Sequence, residues 1–300
     1  MHFDSDEIGD EPFGYIVENR FIREALYKRA GELPNLKLIA PAKVKMKYEG
    51  RNVIEVETNT SSFILHPSLI IGADGKNSYV RKTSGITEQR KSYKQMGIVT
   101  TIAHEKSHHG LAHEHFMPVG PFAVLPMQNN RSSLVWTEPT ELAHIYMKMS
   151  DEEFLAQIKK RVSYLGDIKI ASKCWSYPLE LMHADNYVKD SVVLIGDAAH
   201  SIHPIAGQGV NLGFRDAELL AEIITTRAKR GLLLSQDCLS EYESLRRMDN
   251  SLMIMATDRL NILFSNKILP LKLARTLGLG LVNQIPPLRR KFMKYASGRN

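Results

Sequence analysis

The feature that most constrains this chain is a strand, a loop and a helix that follow one another between residues 191 and 227. Residues 191–196 form a short apolar run, which predicts a strand buried on both faces. Apolar side chains then recur at helical spacing from residue 210 to about 227, which predicts a long amphipathic helix. A buried strand that leads into such a helix is typical of open α/β sheets, which bind ligands at the carboxyl ends of their strands.

The loop between this strand and helix carries residue types that suit a flat, polar ligand. Asp197 follows the strand directly, and its carboxylate can accept a hydrogen bond from a sugar-like hydroxyl. Pro204 fixes the backbone and lacks an N–H donor, while Gly207 and Gly209 let a ligand approach the main chain closely. The helix that follows presents unpaired N–H groups and a positive dipole end. A plain connecting turn explains each residue singly, but not all of them together.

A second motif, Asp74-Gly75, follows another short apolar run at residues 68–73. An Asp-Gly pair alone is typical of a β-turn. At the end of a predicted buried strand, and with Ser78, Val80 and Arg81 after it, the pair instead indicates a second ligand contact.

Both motifs resemble those of the group A flavoprotein aromatic hydroxylases, whose fold is similar to that of p-hydroxybenzoate hydroxylase. The resemblance runs from about Gly14 to Gly298, and residues 116–126, 133–136 and 286–288 resemble the ubiquinone-biosynthesis branch. It implies a monooxygenase that uses FAD, NAD(P)H and O₂ to hydroxylate the ring of a polyprenylated phenol.

The resemblance also implies the cofactor site, in which an aspartate binds the ribityl chain of FAD and glycines lie along the isoalloxazine ring. The implied FAD-binding residues are Asp74, Gly75, Arg81, Gly196, Asp197, Ala198, His200, Pro204, Gly207, Gln208, Gly209 and Asn211. No catalytic side chain is implied, because oxygen transfer needs no obligatory acid or base. His203 is a candidate for a hydrogen bond to the ring or the substrate, and a structural loop histidine is the open alternative.

One feature of the family is missing from the sequence, namely the opening strand and Gly-x-Gly-x-x-Gly turn that hold the FAD pyrophosphate. Residue 1 aligns roughly a hundred residues into the family, so we expect an N-terminally truncated FAD domain without its first βαβ unit. Two hypotheses stay open, an active monooxygenase and an inactive remnant or partner subunit of that family. A flavin halogenase is disfavoured, because the Trp-x-Trp-x-Ile-Pro signature is absent.

The expected fold class is α/β (α+β), with a doubly wound FAD-binding domain, a substrate domain on an antiparallel sheet, and C-terminal helices. Periodicity predicts helices at 19–31 and about 151–165, the second after a Ser150–Glu153 capping box, and paired strands at 43–48 and 53–58. We expect boundaries at 1–82 and 186–245 for the two parts of the FAD-binding domain, 83–185 for the substrate domain and 246–300 for the basic C-terminal helices.

Five histidines cluster within a short stretch but do not predict a metal site. They are His104, His108, His109, His113 and His115. No cysteine or helical His-x-x-x-His pair accompanies them, so we expect a solvent-facing loop and no bound metal. The two cysteines, Cys174 and Cys238, are far apart, which disfavours a disulfide framework and indicates a reducing compartment.

The net charge of +6 is concentrated at the C-terminal end, where residues 245–300 hold eleven Lys or Arg and two Asp or Glu. The cluster Arg289-Arg290-Lys291 predicts either peripheral contact with an anionic membrane or solvated helices packed on the flavin domain. No nucleic-acid reader motif accompanies this charge. Neither a membrane-spanning apolar run nor a signal peptide is present. We therefore expect a cytoplasmic protein, and contact with the inner face of the membrane and with a ubiquinone-biosynthesis complex is one of the two alternatives for its basic segment.

Overall fold

The computed structural model describes residues 2–48, 52–203, 207–265, 285–287, 289–290 and 293 of the chain. In chain order the strands are β1 (Ala42–Tyr48), β2 (Asn52–Thr58), β3 (Ser62–Leu65), β4 (Ile70–Gly72), β5 (Glu88–His104), β6 (His113–Met117), β7 (Gly120–Met127), β8 (Arg131–Pro139), β9 (Ile168–Ile170), β10 (Trp175–Ala184), β11 (Val188–Lys189), β12 (Val192–Leu194) and β13 (His200–Ser201). The helices are α1 (Asn19–Gly31), α2 (Tyr79–Thr83), α3 (Thr140–Tyr146), α4 (Asp151–Val162), α5 (Gly209–Lys229) and α6 (Gln236–Ser265).

The chain divides into two compact units, and α1, β5, β10 and α6 each pass from one unit into the other. Unit 1 holds residues 1–28, 96–177 and 260–300, and unit 2 holds residues 29–95 and 178–259. No helix among the described residues is long and apolar enough to cross a bilayer.

Unit 1 is built on an antiparallel sheet with helices packed against it. β7 pairs with both β6 and β8, and Phe122 lies opposite Trp136. The buried face of α4 carries Phe154, Ile158 and Val162, which join the same apolar core as the strand residues. The predicted capping box at the start of α4 is confirmed, because Ser150 and Glu153 each accept a hydrogen bond from the other's backbone N–H.

Unit 2 contains two small sheets and the long helices α5 and α6. β1, β2 and β3 form an antiparallel meander in that order. β12 lies between β11 and β4, antiparallel to the first and parallel to the second. Leu194 of β12, Leu220 of α5 and Tyr242 of α6 belong to one buried cluster, so the strand and both helices share a core.

Two expectations about these elements were wrong. The run at residues 68–73 forms only the three-residue β4, and Ile71 is 45% exposed. Alternate strand residues point to opposite faces, so only the face of Ile70 and Gly72 is covered.

The histidine cluster is also not a solvent-facing loop throughout. His104 ends β5 and is buried, with Nε2 placed 3.0 Å from Oγ of Ser132. His113 and His115 lie two apart on β6, and their stacked ring centroids are 6.0 Å apart. Strand alternation places both rings on one face. Among the described residues no group of acids, histidines and cysteines could hold a metal ion.

Candidate functional site

The site begins where the chain leaves β12. Gly196 has a φ of +57°, a left-handed conformation that suits glycine. A single 3₁₀ turn, Gly196–Ala198, follows. Asp197 in this turn is exposed, while Ala198 and Ala199 are completely buried. The alanines therefore anchor the turn and leave the Asp197 carboxylate accessible.

Close packing of α5 holds this turn in place. A Cβ atom added to Gly213 of α5 would lie 3.3 Å from the Cα atom of Gly196. The two main chains are therefore nearly in contact. Glycine in a helix interior costs about 1 kcal/mol relative to alanine, so this close approach is a physical reason for Gly213.

Asp216, which neither sequence motif contains, lies fully buried beneath the turn. Its Oδ2 accepts hydrogen bonds from the N–H of Gly196 at 2.8 Å and from Nε2 of His200 at 2.6 Å. Its Oδ1 accepts from Nε of Arg246 at 2.7 Å. Burial alone would raise the pKa of Asp216, but the contacts with His200, Arg246 and Gly196 outweigh it and hold that pKa below its ordinary value.

Two residues implied to bind FAD are buried below the loop surface. His200 is 1% exposed and points into the Asp216 carboxylate. Arg81 is completely buried, and its Nη1 donates to the carbonyl of Ala198 at 2.6 Å. Its Nη2 donates to the carbonyl of Lys76 at 2.8 Å, and its guanidinium also pairs with Glu88. Both residues brace the turn from within the protein, and direct contact with FAD stays a prediction for each.

The loop with Asp74 and Gly75 follows β4, which is the parallel neighbour of β12. One carboxylate oxygen of Asp74 accepts a hydrogen bond from Oγ of Ser78, and the other accepts from the N–H groups of Tyr79 and Val80 at 2.7 and 3.0 Å. Burial would raise the pKa of Asp74, but these bonds together lower it. Asp74 thus stabilises the start of α2, and Gly75 turns the chain with a φ of +82°. Their contact with FAD stays a prediction.

The far end of the loop offers open space beside the start of α5. Among the described residues, no atom lies within 4 Å of a Cβ atom placed on Gly207 or Gly209. The side chain of Gln208, the residue before α5, does not cap the helix, and its Oε1 instead accepts from Nδ2 of Asn211 at 3.2 Å. Glycine-lined space at an uncapped helix N-terminus fits a flat, electron-accepting ring. Pro204 lies outside the described residues.

His203 is the last described residue before Pro204, and it is completely buried. The ring of Tyr93 meets it edge-on, with centroids 4.8 Å apart. Burial lowers the pKa of His203 to about 4, although nearby Asp258 acts in the opposite direction. The imidazole is therefore neutral near pH 7. Tyr93 in turn donates to Asp258 of α6 at 3.1 Å, so α6 also supports this end of the loop.

The residues present fit the isoalloxazine and ribityl part of FAD. An exposed carboxylate can accept bonds from ribityl hydroxyls, the glycines leave room for the ring, and the start of α5 favours negative charge at the ring edge. The sequence motif predicted Asp197, Gly207 and Gly209 as surface contacts, whereas Asp216 and Arg246 were missed because they lie on two different helices.

Comparison with known proteins shows the family to which the chain belongs. The profile of a family described as an FAD binding domain matches residues 42–250. The chain is 44% identical over 289 residues to ubiquinone hydroxylase UbiL of Rhodospirillum rubrum, covering 96% of this chain and 67% of that protein. It is 33% identical over 301 residues to 3-demethoxyubiquinol 3-hydroxylase of Escherichia coli, covering 99% of this chain and 76% of that protein.

A solved structure shows that the fold is shared. The p-nitrophenol 4-monooxygenase PnpA from Pseudomonas putida superimposes with a TM-score of 0.76 at 20% identity, covering 94% of this chain and 72% of that one. The predicted resemblance and the α/β fold class are thereby confirmed. The chain belongs to the FAD-binding family of flavin-dependent monooxygenases that includes the ubiquinone-biosynthesis hydroxylases.

Proposed function

We propose that this chain hydroxylates the aromatic ring of a polyprenylated ubiquinone precursor, with FAD as its cofactor, NAD(P)H as the reductant and O₂ as the oxygen source. The observation that carries the proposal is the turn at Gly196 and Asp197, which holds an exposed carboxylate at the carboxyl end of β12. The relatives named as ubiquinone hydroxylases at 44% and 33% identity support the choice of substrate.

The chain's own part is to bind and orient the cofactor. Bound FAD, once reduced by NAD(P)H, would supply the activation of O₂ and the transfer of one of its oxygen atoms to an electron-rich ring, with the other released as water. Asp197 would accept hydrogen bonds from the ribityl hydroxyls. Gly207 and Gly209 would let the ring lie against the main chain. The neutral, buried His203 of the loop would add no positive charge of its own near the ring.

Gly209→Val tests the cofactor surface. The valine side chain would enter space that no described residue fills but that the ring would occupy, so the variant should fold normally and lose FAD binding. Gly31→Val is the matched control, because a Cβ atom there also meets no described atom within 4 Å. Quenching of flavin fluorescence measures the Kd for FAD. Undiminished FAD binding by Gly209→Val would show that the surface is wrongly placed.

Hydroxylation is tested with the purified chain, FAD, NADH or NADPH, and a prenylated phenol dispersed in detergent. Under ¹⁸O₂ the product should gain one labelled oxygen atom, detected by mass spectrometry. Cofactor-dependent NAD(P)H oxidation without a labelled product would contradict the proposed substrate. Failure of the chain to bind FAD would contradict the enzyme proposal and support an inactive partner subunit of the family.

We also propose that the basic C-terminal segment brings the chain to the inner face of the membrane, where a prenylated substrate resides, and to a ubiquinone-biosynthesis complex. Residues 245–300 carry a net charge of +9. Arg290 is exposed, whereas Arg289 pairs with Glu7 at 2.7 Å. Lys291, the third residue of the predicted cluster, lies outside the described residues. Sedimentation with anionic vesicles, but not with neutral ones, and release by salt would support this contact. Equal sedimentation with both would contradict an electrostatic contact.

A further inference from the structure

The buried Asp216 carboxylate joins four elements of unit 2. Asp216 itself lies on α5, and its oxygens accept hydrogen bonds from Gly196 after β12, from His200 on β13 and from Arg246 on α6. Asn250 of α6 adds a longer contact through Nδ2, at 3.4 Å. Such a carboxylate is costly to bury, so these partners together keep it ionised in the interior.

The bond to Gly196 differs from the others because it is made to the main chain. The N–H of Ile195 still donates to the carbonyl of Gly72 on β4, at 3.0 Å, as part of the sheet. The next N–H, that of Gly196, donates to Asp216 instead. The Asp216 carboxylate therefore accepts the first main-chain N–H beyond the sheet, at the residue that directs the chain into the exposed turn.

We propose that Asp216 is a positioning residue of the cofactor site, which fixes the direction of the Gly196–Ala198 turn and thereby sets the affinity for FAD. This proposal rests on the proposed function, because it assumes that the turn contacts FAD. Asp216 acts through Gly196 and Asp197, and it touches no ligand itself, because its side chain is completely buried.

The competing explanation is that Asp216 only neutralises Arg246. Asp249 offers a matched comparison, since it also accepts a hydrogen bond from Arg246, at 2.8 Å, and belongs to the same helix, α6. Asp249 also forms an ion pair with Arg215, at 3.8 Å, and among the described residues it makes no contact with Gly196. A comparison of Asp216 with Asp249 therefore separates an effect on Arg246 alone from an effect on the turn.

The decisive experiment compares Asp216→Asn with Asp249→Asn. In asparagine only one side-chain end can accept, so Asp216→Asn cannot keep both the hydrogen bond from Arg246 and the one from Gly196. The variant should raise the Kd for FAD at least tenfold and shift the absorption band of the bound flavin. Asp249→Asn should leave the Kd within twofold of the wild type. Both are measured well below each variant's Tm, so that loss of folded protein does not enter. Equal Kd values for the two variants would overturn the proposal.

A second measurement does not depend on a variant that folds. In the wild-type chain labelled with ¹⁵N-glycine, the amide of Gly196 should exchange with solvent slowly, as a buried hydrogen bond requires, and much more slowly than the amide of Gly207. Fast exchange at Gly196 would overturn the proposal. If the wild-type chain binds no FAD, the proposed function fails, whereas slow exchange would still show that Asp216 holds the turn.

Discussion

The two aspartates that follow the parallel strands β4 and β12 stand in similar places and serve the molecule differently. Gly72 and Leu194 are partners in register, and Asp74 and Asp197 follow them by two and three residues. Asp74 accepts three hydrogen bonds inside its own loop. Asp197 is exposed, and within the described part of the chain no hydrogen bond engages its carboxylate.

The difference teaches that position at a strand end does not decide what a carboxylate does. After Asp74 the chain turns directly into α2, whose first N–H groups point back at the carboxylate. After Asp197 the chain forms a 3₁₀ turn instead, and the buried Asp216 takes the N–H of Gly196. One aspartate therefore stabilises the start of α2, whereas the other stays exposed, as the proposed contact with FAD requires.

The largest expected difference between the two loops is in how the stability that each contributes depends on pH. The pKa of His203, in the loop after Asp197, falls from 6.5 to about 4 on burial. The unfolded chain thus binds a proton that the folded chain excludes. Stability from His203 is complete above pH 6.5 and falls by about 3 kcal/mol as the pH drops toward 4. The pKa of Asp74 is lowered by hydrogen bonds, whereas burial alone would raise it. The stability that Asp74 contributes is therefore lost only below pH 3.8.

The measurement for this prediction is the Tm between pH 4 and 7 for the wild type and His203→Gln. The acid-induced decrease in Tm should be smaller in the variant. Part of the decrease should remain, because burial also lowers the pKa of His183 to about 4. Identical pH profiles for the two proteins would contradict the burial of a neutral His203.

Gly72→Ala should weaken both loops together. A Cβ atom at this position would lie 2.8 Å from Cδ2 of Leu194 and 2.9 Å from Cγ1 of Val80, so the strand pair and α2 would have to move apart. Such overpacking should lower the free energy of unfolding by about 2 kcal/mol in urea titrations. Gly14→Ala is the control, because no atom of the described part of the chain lies within 4 Å of a Cβ atom there. A similar effect of both substitutions would show that the space around Gly72 is not tight.

Asp74→Ala should have a smaller effect, confined to the first loop. Loss of a carboxylate that binds the first N–H groups of a helix costs about 1 kcal/mol. The free energy of unfolding should therefore fall by that amount in urea. Ser78→Ala combined with Asp74→Ala should cost less than the sum of the single variants, since they share a hydrogen bond. Strict additivity would show that this bond contributes nothing.

The sequence predicted the parts of this fold that leave a local pattern. Helical periodicity placed α1 and α5, and the motif after β12 indicated Asp197 as an accessible carboxylate. The Asp216–Arg246 pair leaves no such pattern, because its members are thirty residues apart on two helices and meet only through packing. His113 and His115 were misassigned to a loop, although their spacing of two residues is that of a strand. Whether Asp74 touches FAD could not follow from its motif either, since a cap and a ligand contact use the same residue types.

Asp197→Ala should show the smallest effect on stability and the clearest effect on the cofactor. An exposed side chain without hydrogen bonds contributes within about 0.5 kcal/mol, so urea unfolding should match the wild type. The Kd for FAD should rise about tenfold, the usual result of losing a charge-assisted hydrogen bond. Glu218→Ala removes another exposed carboxylate, on α5, and should change neither quantity. If Asp197→Ala instead destabilised the chain as much as Asp74→Ala and left FAD binding intact, the two aspartates would be structural alike, and the division of roles between the two loops would be wrong.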